Sequence, residues 1–142
     1  MTNDGYDLQR FVDAQKTVYE RVRRELRAGS KESHWIWFIF PQIAGLGRSP
    51  TSILYAISSL DEAKAYLAHP VLGPRLRECA ELALDAEGRT AREIFGPVDE
   101  MKFRSSMTLF ANAAPDQPLF SQCLEKHFGG RPDPATLKKL SC

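Results

Sequence analysis

Lys102 has Asp99 three residues before it, and Ser105 and Ser106 three and four residues after it. On a helix these offsets bring side chains together. A lysine with two hydroxyls beside it suits a phosphate or carboxylate, and desolvation against apolar walls would lower its pKa toward that of a base or amine nucleophile. The structural alternative is a plain Asp99–Lys102 pair, with the serines as a small-residue packing surface.

A second group lies in residues 34–48, which read His-Trp-Ile-Trp-Phe-Ile-Phe-Pro-Gln-Ile-Ala-Gly-Leu-Gly-Arg. Both tryptophans, two of the eight phenylalanines and two of the nine glycines fall within it. Each large apolar side chain withdrawn from water is worth roughly 1.5–3 kcal/mol, so such a run belongs to the core and its polar ends, His34 and Gln42, are expected beside it. Trp35 or Trp37 would stack on a ligand ring. His34 or Asp99 would move protons, unless His34 is simply a satisfied, semi-buried histidine. Gly45 and Gly47 permit a tight turn or close backbone approach, and Arg48 offers a fork of donors for an anion.

Two further polar residues stand out. Gln15 sits on an apolar stripe with Phe11, Val12, Val18 and Tyr19. An amide there needs partners, because burying it unpaired costs about 1–3 kcal/mol, so it ties helices together or faces a pocket. Arg75 follows Leu72, Gly73 and Pro74 near a helix start, where its charge does not offset the helix dipole and an anionic partner would account for it.

Several signatures are missing. There is no His-Glu-x-x-His, no Gly-x-Ser-x-Gly, no calcium-loop spacing, no dinucleotide fingerprint and no phosphate-binding P-loop. His34, His69 and His127 are far apart, so no metal site and no cofactor are expected. The formal charge is +1, from 19 basic and 18 acidic residues, which supplies no global field for nucleic acid or an anionic membrane. The densest basic stretch, Arg21, Arg23, Arg24 and Arg27, is interleaved with Glu20 and Glu25 and reads as a solvated helix face. The longest apolar run covers residues 35–40, far short of the ~20 that span a bilayer, and no signal-peptide core precedes it. A cytoplasmic location is expected, with Cys79, Cys123 and Cys142 as free thiols.

The elements that must position these residues are helical. Leu8, Phe11, Val12, Val18, Tyr19, Val22 and Leu26 recur at mostly helical spacing before Gly29, predicting one long amphipathic helix. Ser49-Pro50, Ser59 with Glu62, Thr90 with Glu93, and Asp133-Pro134 are helix starts, while His69-Pro70, Gly88 and Gly129-Gly130 are stops. Residues 97–112 contain no internal breaker and should form a helix buried on two sides, one carrying Val98, Met101 and Leu109, the other Phe103, Met107 and Phe110. Strand alternation is absent, and residues 35–40, ambiguous by periodicity, are assigned to helix. The expected fold is all-α: one compact domain over residues 1–142, an orthogonal array of helices with an ordered core at about 6–140.

The residues also resemble a family. Phe11-Val12-Asp13-Ala14-Gln15, Ser33-His34-Trp35-Ile36-Trp37-Phe38-Ile39-Phe40-Pro41-Gln42 and Gly45-Leu46-Gly47 are similar to the family called domain of unknown function 1810. So are Tyr55-Ala56-Ile57, His69-Pro70-Val71-Leu72-Gly73, Arg75-Leu76, Phe95-Gly96, Asp99, Lys102 and Ser105-Ser106-Met107-Thr108-Leu109-Phe110. The resemblance implies a compact, mostly helical domain and no established activity. Members sometimes carry the label calpastatin, which a chain with its own core does not support. The order of helices is distantly similar to the YbiA-like N-glycosidases, which are ADP-ribose-related, but no motif of theirs aligns and no catalytic residue carries over.

Two functions follow from this reading. In the first, the protein is an enzyme or binding domain for a small anionic, nucleotide-like ligand, acting as a monomer. His34, Asp99 and Lys102 are then its catalytic candidates, and Gln15, Trp35, Trp37, Gln42, Arg48, Arg75, Ser105 and Ser106 line the ligand. In the second, it is a non-enzymatic interaction module whose groove accepts a peptide or helix.

Overall fold

A computed structural model describes residues 5–141. Among these residues the fold is all-α: α1 (Gln9–Lys16), α2 (Tyr19–Arg27), α3 (Ile36–Ile39), α4 (Pro50–Leu54), α5 (Leu60–Ala68), α6 (Leu72–Asp85), α7 (Ala91–Ala113), α8 (Pro118–Phe128) and α9 (Pro134–Leu140). Cys142 and residues 1–4 lie outside the described range.

The helix starts are made by the expected caps. The side chains of Ser49, Ser59 and Asp133 accept the backbone N–H of Ser52, Glu62 and Thr136, each at 3.1 Å. Thr90 and Glu93 form a full capping box. The Ser59–Glu62 pair is only half a box, because the Glu62 carboxylate turns instead to the N–H and hydroxyl of Ser58 and to Arg10. His69 ends α5 and then steadies the start of α6, its Nδ1 accepting the N–H of Val71 and Leu72. Gly129, in the left-handed region at φ 62°, closes α8.

Two expectations are corrected. The long N-terminal helix is two, broken at Thr17 and Val18. The Val18 N–H bonds back to the carbonyl of Gln15, three residues away, and these two residues are β-branched, the type that helices hold least well. The break lets α1 pack on α3 while α2 packs on α6. The second correction concerns α7, which bends at Gly96 (φ 86°) ahead of Pro97. Its Val98 and Met101 are 67% and 51% exposed, so the face drawn from Val98 to Leu109 is buried only at its Leu109 end. From Phe103 to Phe110 every residue except half-buried Arg104 is buried, where α5, α8 and α9 surround the helix.

The core is one continuous cluster running from Leu8 and Phe11 to Phe120 and Leu124. At its centre Phe103 stacks on Phe95 (centroids 4.5 Å) and meets Phe40 edge-on (4.9 Å). Phe40 is the last residue of the aromatic run, so α7 holds that run from below.

Candidate functional site

The run turns its aromatic residues in different directions. Trp35 is buried, and its indole N–H donates to the Glu25 carboxylate at 2.9 Å. Phe40 enters the phenylalanine cluster. Trp37 is only half-buried and faces a pocket. After Pro41 the chain pairs briefly with residue 57: the Ile57 N–H donates to the carbonyl of Gln42 and the Ala44 N–H to the carbonyl of Ile57, each at 2.8 Å. That bridge fixes the path of the loop into Gly45 and Gly47.

The pocket lies between Trp37, this loop and α4, and measures about 110 Å³. Its walls include Trp37, Gln42, Ile43, Ser52, Ile53 and Tyr55, and no carboxylate lines it. Both glycines are required here. Gly45 has φ +95°, and a Cβ on Gly47 would stand 2.5 Å from that of Ser52. The Cε and Nζ atoms of Lys139, from α9, lie 2.9 Å from where a Cβ at position 45 would be, so an ammonium group leans over the turn. The Lys102 Nζ is 5.8 Å from the Trp37 ring centroid.

The candidate residues therefore fall into separate groups. Trp37 and Gln42 line the pocket, and Lys102 stands against Trp37. Asp99 sits between two lysines, 2.7 Å from Lys31 and 3.3 Å from Lys102. The nearly buried Lys31 also donates to the carbonyl of Ser33 and lies 5.0 Å over the Trp35 ring, on the Glu25 side of the run.

Gln15 and Arg75 form a second group. The Gln15 amide donates to the carbonyl of Phe38 (2.7 Å) and to the Tyr66 hydroxyl (3.2 Å), and its oxygen accepts from Arg75 at 3.3 Å. The Arg75 guanidinium lies 4.7 Å over the Tyr19 ring. Of the two roles open to Gln15, the geometry shows the tie: it joins α1 to α3, α5 and α6.

Ser105 and Ser106 belong to the core of α7. Ser105 donates to the carbonyl of Met101 and to Asp133, which also accepts from the Thr136 hydroxyl and so docks α9 on α7. The Ser106 hydroxyl is buried without a hydrogen-bond partner among the described residues. His34 and Arg48 are exposed, and neither lines the pocket. His34 was expected beside the core; it points outward because its neighbour Trp35 turns inward.

Several residues now in view had no sequence signal as site residues. Glu25, placed above on a solvated face, is buried and accepts four hydrogen bonds. Ser52 and Lys139 are joined to the aromatic run only by tertiary folding. Cys79 and Cys123 are free and buried, and burial pushes both thiols up to about 12, leaving them protonated and unreactive at neutral pH. No group of three histidine, cysteine or acidic side chains able to hold a metal ion forms among the described residues. Nor is any helix among them long and apolar enough to cross a membrane.

Fold and pocket together define a small all-helical protein with an aromatic-walled recess beside its core. Residues 5–140 match the family described as "Protein of unknown function (DUF1810)", and the chain belongs to that family. It is also similar to the conserved hypothetical protein Rv1873 from Mycobacterium tuberculosis, whose crystal structure was solved at 1.38 Å: 52% identity over 98% of this chain and 99% of that one, with a TM-score of 0.96. No curated protein matches the chain. Neither description mentions calpastatin or an N-glycosidase.

Proposed function

We propose that the recess beside Trp37 binds a small anionic molecule carrying a flat ring. One observation carries this reading: an aromatic and aliphatic cavity with no carboxylate in its wall has two ammonium groups beside its wall residues, Lys139 at Gly45 and Lys102 at Trp37. The ring would lie against Trp37 and Tyr55, the Gln42 amide would offer both a donor and an acceptor to its edge, and the lysines would attract its charge. Asp99 holds Lys102 and Lys31 in place. With both of its oxygens engaged by lysines and His34 at the surface, binding accounts for the arrangement without a catalytic step.

A thermal-shift panel of AMP, ADP-ribose, phosphorylated sugars and simple aromatic acids tests the reading. At least one ring-bearing anion is expected to raise Tm, and Trp37→Ala to remove that response. A panel without effect on Tm, or a response that survives in Trp37→Ala, rejects it.

A second reading, a protein-interaction surface, draws on the exposed Ile53 (65%) and Leu54 (56%) of α4, which share a shallow depression with Tyr6. It predicts that Leu54→Asp abolishes capture of a protein partner by the immobilised chain without changing Tm; capture unaffected by the substitution counts against it.

A further inference from the structure

We infer that the ligand of this recess is a monocyclic carboxylate, its ring seated between Trp37 and Tyr55 and its two oxygens held by Lys139 and Ser52; this rests on the binding role proposed above. Size is the first argument. Apolar cavities of about 150 Å³ accept a single benzene ring. The recess, at about 110 Å³, is of the size that takes one such ring with an edge directed outward.

The donors at its rim are the second argument. Ser49 Oγ accepts the N–H of Ser52 at 3.1 Å and gives its own proton to Ser52 Oγ at 2.8 Å. The hydroxyl pair uses only one of its two protons internally, so Ser52, which lines the recess, has a proton to offer when Ser49 donates. Ser52 stands against Gly47, its Oγ 2.6 Å from where a Cβ would be, while the Lys139 ammonium stands against Gly45. Positions 45 and 47 are two residues apart, a separation of at most about 7 Å along the chain. An ammonium and a hydroxyl donor thus face the same short turn, one for each oxygen of a carboxylate. Neither glycine has a side chain to hold these donors away from the turn. A neutral amide of the same shape would present an NH₂ group to one of the two donors and lose that bond.

The experiment is an NMR titration of the full-length protein, following the Trp37 indole N–H and the Gly45 and Gly47 amides. The probes are benzoate, benzamide, 2-naphthoate and AMP. Benzoate is expected to shift all three signals saturably, and benzamide to bind at least about ten-fold more weakly, the loss expected when one charge-assisted bond is missing. Lys139→Gln and Ser52→Ala should each weaken benzoate by about five- to ten-fold, whereas benzamide, which keeps only one of the two bonds, should respond to no more than one of them. Both side chains lie outside the core, so an unchanged Tm verifies that the variants are folded. Equal affinity for benzoate and benzamide, or benzoate binding indifferent to both substitutions, overturns the proposal. Shifts produced only by 2-naphthoate or AMP overturn it while leaving the recess a binding site. No shift with any probe rejects both.

Discussion

Phe103→Ala is expected to lower stability by about 3–5 kcal/mol, a fall in Tm of roughly 10–20 °C for a chain of this size. Phe103 is fully buried, and its ring touches four others: Phe95 at 4.5 Å, Phe40 at 4.9 Å, His127 at 6.0 Å and Phe128 at 6.2 Å. Those neighbours come from the far side of the bend at Gly96, from α8 and from the end of the aromatic run. No single segment can move in to fill the void without pulling the others, so the cavity term adds to the transfer term. Phe103→Leu keeps most of the volume and should cost less than half as much. Urea unfolding of the three proteins measures both values. A loss below about 1.5 kcal/mol for the alanine variant would show that the cluster collapses around the gap, against the view that it anchors the run.

The effect should extend to the pocket. Phe40 is held by Phe103 and Phe95, while Trp37, three residues earlier, forms a wall of the recess. Loosening the cluster therefore loosens the wall, although Phe103 does not line the recess.

Local chemistry in the sequence foretold much of the fold. The caps at Ser49, Ser59, Thr90 and Asp133 and the left-handed glycine at 129 are short-range devices, complete within six residues, and each works as its residue types require. The six-residue apolar run was ambiguous by period and is a short helix, α3, flanked by irregular residues. What spacing could not show was tertiary choice. A continuous apolar stripe over residues 8–26 does not reveal that its halves pack on different helices. Glu25, among arginines, looks solvated until the chain folds residues 32–35 over it. The site was legible in the same uneven way. Trp37 and Gln42 were visible as parts of one dense segment, whereas Ser52 and Lys139 reach the same turn from α4 and α9 and carry no mark of it in their own neighbourhoods.

Glu25 gives the second large effect, and its dependence on pH distinguishes it from a packing defect. Its Oε1 accepts from the N–H groups of Glu32 (2.8 Å) and Ser33 (2.9 Å) and from the Trp35 indole (2.9 Å), and its Oε2 from the Ser33 hydroxyl (2.6 Å). Burial alone would raise the pKa of this carboxyl, but the hydrogen bonds from Ser33, Glu32 and Trp35 outweigh it and bring it from 4.5 down to about 2. A carboxylate whose pKa is lower folded than unfolded stabilises the protein fully above the unfolded value and loses that contribution as pH falls through the folded one. The contribution should therefore be complete above about pH 5 and lost between there and about pH 2. Glu25→Ala is expected to cost about 2–4 kcal/mol at neutral pH, since it also strands the buried Trp35 N–H. Glu25→Gln keeps one acceptor oxygen and should cost about half of that. Urea unfolding of the wild type and Glu25→Gln at a series of pH values gives the decisive comparison. The gap between them should narrow steadily from pH 5 toward pH 2, because only the wild type gains a proton at this site. A gap independent of pH would mean that the carboxylate's charge contributes nothing and that residue 25 acts through shape alone.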